Sequence, residues 1–133
     1  MKRSDARASA MKLVYEWDMG GEGGESTVSG MLELSPEEAE YGFMQKVVEG
    51  VKANITDIDA KIAKFISTEW EFNRIAKVDL AILRVAVYEL DYTQTPKGVI
   101  INEAVELARK YSGDKAFEFV NGVLGTVTRG EQQ

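Results

Sequence analysis

Cysteine and histidine are both absent from this chain of 133 residues. Their absence removes the disulfide, the thiolate nucleophile, the imidazole base and the commonest zinc ligands. Proline occurs only twice, at 36 and 96, at the starts or turns of elements, so helical stretches can run unbroken. No apolar run approaches the roughly 20 residues that a bilayer span requires. The basic start is followed by charges at Asp5, Arg7, Lys12 and Glu16, which interrupt any signal-peptide core. A reducing compartment fits the missing cysteine, and the expectation is a cytoplasmic protein.

What is present is an ordinary globular balance, 44% apolar and 29% charged, in a chain long enough to bury a core without metal or disulfide. The net charge of −6 argues against indiscriminate nucleic-acid binding, which needs clustered cations. Its distribution is uneven. Lys2, Arg3, Arg7 and Lys12 face only Asp5 at the start, so the one local positive excess is amino-terminal. On charge alone that excess reads first as a solvated helix start.

Helical periodicity runs through the chain. Ala6, Ala10, Leu13, Val14 and Trp17 make one face of a helix from Ser4 to Met19, with Ser4 or Asp5 as cap. Gly20 to Gly24 ends it and opens an acidic loop over 20–34. Ser35-Pro36-Glu37-Glu38 starts a second helix with Phe43, Val47, Val48 and Val51 inward. Thr56-Asp57 starts a third, with Ile58, Ile62, Phe65 and Ile66 inward. Val78 to Tyr92 is apolar in nearly every direction, so it is expected to be buried all round and to act as hub. A turn at Thr95-Pro96-Lys97-Gly98 follows. Val99-Ile100-Ile101 has a strand's composition but no partner strand, and it leads into a helix ending at Tyr111. The last helix spans Lys115 to Thr128, and a close helix–helix contact is expected at Gly122, since a glycine there costs about 1 kcal/mol relative to alanine. The chain reads as all-α and as one domain over 1–133, with helical halves at 1–67 and 68–133.

Catalytic chemistry finds little to work with. Glu103 with Glu106, and Glu37 with Glu40, each share a helix face. Yet a di-metal carboxylate bundle adds Glu-x-x-His motifs, which this composition forbids. No catalytic residue, metal ligand or cofactor is expected. The Gly20–Gly24 stretch lacks the lysine and hydroxyl residue of a phosphate loop and follows a helix.

Three blocks in the second half carry a resemblance. The first is Arg74-Ile75-x-x-Val78-Asp79-x-Ala81-Ile82-Leu83-Arg84-Val85-Ala86-x-Tyr88-Glu89-Leu90. The second is Pro96 followed by Ile101-Asn102-Glu103-Ala104-Val105-Glu106-Leu107-Ala108-Arg109-x-Tyr111, and the third is Phe119-Val120-Asn121-Gly122-Val123-Leu124. With Arg3-x-x-x-Arg7-x-x-Ala10 and Tyr15-x-Trp17, they resemble the NusB family over nearly the whole chain, apart from the loop at 20–34. The resemblance implies two three-helix bundles packed roughly perpendicular and no enzyme activity. It also implies transcription antitermination in ribosomal RNA synthesis, through boxA-type single-stranded leader RNA bound together with the ribosomal small-subunit protein NusE, within the RNA polymerase antitermination complex. No membrane partner is implied, and a weak homodimer is compatible with it.

Carried over by position, the family's RNA surface falls on Arg3, Arg7, Tyr15, Tyr111 and Phe119, and its NusE surface on Asn73 and Asp79. Arginines suit phosphates, and aromatic rings suit unpaired bases. By periodicity alone, Tyr15 and Phe119 also fit the packed stripes of their helices, and Asp79 also fits an early-helix acid near a favourable dipole. Ser4 and Asp5 interrupt the arginine cluster that many relatives have, and Leu80 stands where a basic residue often follows the acid. RNA binding is therefore expected to be weak alone and tighter with NusE. The alternative is a protein-interaction adaptor without RNA affinity of its own. A carboxylate enzyme built on Glu103 and Glu106 is the third reading.

Overall fold

One helix sets the architecture, and its sequence explains why. In Val78–Tyr92 apolar side chains leave no polar face, so the segment is stable only when surrounded. The computed structural model describes residues 3–21, 39–66, 72–113 and 115–131. It consists of α1 (Arg3–Asp18), α2 (Ala39–Ala53), α3 (Ile55–Phe65), a 3-10 turn (Phe72–Arg74), α4 (Lys77–Tyr92), α5 (Lys97–Tyr111) and α6 (Ala116–Glu131). Every residue of α4 from Asp79 to Glu89 is buried, and all five other helices pack on it. Leu80, Ile82 and Leu83 are at most 1% exposed, and each such side chain contributes about 1.5–3 kcal/mol of burial. Helices α1 and α2 pack on one another, as do α5 and α6, while α3 lies against α4 and α6. No strand occurs among the described residues, and no described helix is long and apolar enough to cross a membrane.

Three charged side chains of α4 are buried within this apolar setting, Asp79, Arg84 and Glu89, and the last two pair with other helices. Glu89 receives Arg7 of α1 through Nε at 2.8 Å and Nη2 at 2.9 Å. Arg84 reaches Asp59 of α3 at 2.9 and 2.8 Å, and Asp18 at the end of α1 at 3.1 Å. Helix α1 is thus fixed to α4 at both ends, running antiparallel to it. Burial disfavours both guanidinium charges. The hydrogen bonds and charges of Glu89, then Glu103 and Glu40, outweigh that cost at Arg7, and those of Asp59 and Asp18 do so at Arg84. Both pKa values are held above the ordinary arginine value. A raised basic group contributes its stability at every pH below its unfolded pKa, so the arginine side of these pairs does not titrate in the physiological range.

Several local expectations are corrected. Helix α1 already begins at Arg3, so Ser4 and Asp5 lie inside its first turn rather than at the cap. Helix α5 begins at Lys97, which makes Val99-Ile100-Ile101 helical, with Ile100 buried. Helix α6 extends to Glu131. Gly122 is exposed, and a Cβ there would meet nothing. The close approaches lie elsewhere, at Gly50 against Tyr88 and at Gly130 against Phe65. The cap at Ser35–Glu38, with the glutamate Glu37, and the loop from residue 22 onward lie outside the described residues.

Gly50 is where α2 approaches α4, because a Cβ there would lie 2.1 Å from a Tyr88 ring carbon. Gly50→Ala should therefore destabilise the fold by about 1–3 kcal/mol through overpacking, despite alanine's better helix propensity. Urea denaturation measures this, and an unchanged or raised midpoint would show that the two helices separate freely.

Candidate nucleic-acid interface

The site grows from α1, since the clamps to α4 decide which of its faces remain available. Arg7 is only 4% exposed. Beyond its two bonds to Glu89, its Nη1 reaches Glu103 of α5 at 3.3 Å, and Ser4 Oγ donates to the same Glu103 oxygen at 2.6 Å. Arg7 is therefore an internal cross-link among α1, α4 and α5. Arg3 is about half exposed, pairs with Glu40 of α2, and lies over the Phe43 ring at 3.9 Å from its centroid. Glu106, which shares a helix face with Glu103, pairs instead with Arg109 at 3.7 Å. The two carboxylates are thus engaged separately.

Tyr15 and Tyr111 come together. They line one cleft of about 270 Å³ with Met11, Lys12, Glu16, Met19 and Val78, at the meeting of α1, the start of α4 and the end of α5. The lining is mainly apolar, as an unstacked base prefers. Lys12 Nζ lies 5.0 Å and Lys110 Nζ 5.2 Å from the Tyr111 ring centroid. Both are within the range of a cation–π contact. Neither lysine stood out in the sequence. Lys12 was legible only as part of a basic start, and its relation to Tyr111 depends on how α5 lies beside α1.

That alignment is regular. Ser4 and Arg7 meet Glu103, while Lys12 meets Tyr111. Eight residues further along each helix, the same seam continues. Arg7 and Tyr15 are separated by about 12 Å along α1 at 1.5 Å per residue, with Arg7 buried toward the start of the seam and Tyr15 lining the cleft at its other end. Tyr111 is the last residue of α5. The Ser112 and Gly113 N–H groups both donate to the Ala108 carbonyl, at 2.9 and 3.0 Å, and Gly113 adopts φ 129°, which favours glycine. Phe119 is half-buried on α6, packs against the core, and does not line the Tyr15–Tyr111 cleft.

The other two positions lie at the start of α4. Asn73 is exposed on the 3-10 turn. Asp79 is 7% exposed, and its Oδ1 is buried without a hydrogen-bond partner among the described residues. A buried carboxylate oxygen left unpaired is costly, and the first turn of a helix offsets only part of that cost. The arrangement suits a donor brought from outside.

Known proteins place this geometry in context. The NusB family model matches residues 4–129. The chain is 44% identical to a transcription antitermination protein NusB of Acetivibrio thermocellus, covering 97% of this chain and 90% of that one. It is 38% identical to the namesake from Clostridium novyi, covering 97% and 99%. A solved structure of antitermination factors NusB and NusE in complex with double-stranded RNA superposes with a TM-score of 0.83 at 30% identity, covering 96% of each chain.

The orphaned oxygen of Asp79 gives a direct test in the free protein. The buried unpaired oxygen costs about 1–3 kcal/mol, more than the roughly 0.3–1 kcal/mol the carboxylate gains in the first turn of the helix. Asp79→Ala, which removes that oxygen, should therefore raise stability by about 1 kcal/mol in urea denaturation. A less stable variant would mean that the carboxylate has an internal partner in solution.

Proposed function

Because the chain belongs to the NusB family of transcription antitermination factors, which are not enzymes, we propose that it binds boxA-type single-stranded leader RNA together with ribosomal protein NusE in the cytoplasm. One observation carries this reading: Tyr15 and Tyr111 share a mainly apolar cleft with Lys12, and Lys12 and Lys110 flank the Tyr111 ring. An unpaired base stacks in the cleft, and the ammonium groups meet the flanking phosphates. Arg3 extends the cationic end of the seam. Arg7 takes part by holding α1 in place, as a positioning residue, and Phe119 supports the α6 side. Asn73 and Asp79 form the edge that receives NusE, where a basic partner residue completes the Asp79 carboxylate.

The internal pairing of Arg3 with Glu40 and of Arg7 with Glu89 favours a second reading, a protein adaptor that leaves RNA to its partner. The two readings separate in one titration. Fluorescence anisotropy of labelled boxA-type and scrambled RNA, with and without NusE, should show weak binding alone and tighter, sequence-dependent binding with NusE. About three phosphate contacts give a log–log salt slope near −2 on a single strand. Tyr111→Ala should weaken binding by about 1–3 kcal/mol, the usual worth of a stacked base. Equal affinity for boxA and scrambled RNA in the presence of NusE, with Tyr111→Ala unchanged, would leave the adaptor reading.

A further inference from the structure

A second cleft lies at the first turn of α1, with a volume of about 410 Å³. Its walls are Arg3, Phe43, Lys46 and Val47 together with Tyr88 and the Thr93-Gln94-Thr95 segment that links α4 to α5. In a chain of net charge −6, a cleft whose lining among the described residues carries two cations and no carboxylate is unusual. Glu40 pairs with Arg3 but does not line the cleft. Lys46 is exposed.

We propose that this cleft is a second subsite for single-stranded RNA, taking a phosphodiester between Arg3 and Lys46 and the adjoining ribose against Gln94 and Thr95. The assignment rests on the RNA-binding reading above and extends it to residues outside the Tyr15–Tyr111 cleft. Charge complementarity favours a polyanion over a protein of basic character, which would be repelled by the same two cations. Hydroxyl and amide groups able both to donate and to accept suit a ribose 2′-hydroxyl, which distinguishes RNA from DNA.

The loop is prepared for the task. Thr93 Oγ1 donates to the Glu89 carbonyl at 2.8 Å and accepts the Thr95 N–H at 3.3 Å, so Gln94 sits at the apex of a braced turn. Tyr88 backs the cleft, and the missing side chain at Gly50 makes room for its ring. Burial first, then Glu89 and Tyr92, push the Tyr88 phenol above its ordinary pKa. Continuity comes from Arg3. It lines this cleft, while Ser4 and Arg7 belong to the α1–α5 seam. A strand crossing the amino-terminal end of α1, whose helix dipole favours anions, would join the two subsites.

The test uses the full chain with NusE and a series of one labelled boxA-type RNA trimmed from each end, with a DNA counterpart. Lys46→Glu should weaken the longest RNA several-fold and make its salt slope shallower by about 0.7. It should leave RNAs trimmed to the first subsite unchanged. Gln94→Ala should reduce the preference for RNA over DNA on the longest strand only, and Lys12→Glu should weaken every length. If Lys12→Glu weakens binding while Lys46→Glu and Gln94→Ala change nothing at any length, the second subsite is overturned and the first stands. Loss of NusE association in Lys46→Glu without RNA would make this cleft a protein face and overturn the subsite too. Absence of binding by the unaltered protein at every length would remove both subsites together.

Discussion

The buried pair between Arg7 and Glu89 is the interaction on which the site depends. Each guanidinium bond comes from the first half of α1, and the acceptor lies near the end of α4, 82 residues further on. Two desolvated charges are tolerated because the geometry is bidentate and Glu103 accepts from the third guanidinium nitrogen, Nη1, at 3.3 Å. Removing one partner of such a pair usually costs about 3–5 kcal/mol, whereas replacing both by apolar groups can be close to neutral. The pair therefore gives orientation more than stability. With Arg84 holding Asp18 at the other end, α1 is anchored to α4 at two points, and Lys12 and Tyr15 lie beside Tyr111 of α5.

From that constraint the rest follows in order. The apolar α4 forms the centre because it has no face to give to water. The helices α1 and α5 lie beside each other on it, joined by Ser4, Arg7 and Glu103 at one end and by Lys12 and Tyr111 at the other. The aromatic cleft opens where α1, α4 and α5 meet, and the exposed Asn73 and Asp79, whose Oδ1 has no hydrogen-bond partner among the described residues, lie at the start of the same central helix. An acidic protein thereby carries a local cationic and aromatic surface, the one proposed for RNA, and an anionic edge, the one proposed for a basic partner.

Much of this was legible in the sequence, and the exceptions have physical causes. An all-round apolar α4 and the helical stripes followed from periodicity, whereas Tyr15 and Tyr111 were put on one surface only by the NusB resemblance, since periodicity alone placed Tyr15 in the packed stripe of its helix. Arg7 was harder. A cation at the start of an amphipathic helix reads as solvated, and only tertiary packing brings Glu89 and Glu103 to it. The role of Lys12 depends on the register of α5, which no local pattern records. Gly122 misled for a similar reason. Glycine permits close approach, but which glycine lies at a crossing is decided by how the helices meet, and that falls at Gly50 and Gly130.

The most direct measurement compares Arg7→Met, Glu89→Leu and the double variant in both urea denaturation and boxA RNA titration with NusE. Each single change should cost about 3–5 kcal/mol of stability, and the double change should recover most of it, with RNA affinity restored alongside the fold. A stable double variant that has lost RNA affinity as fully as Tyr111→Ala would contradict the account, because Arg7 would then be touching the RNA itself.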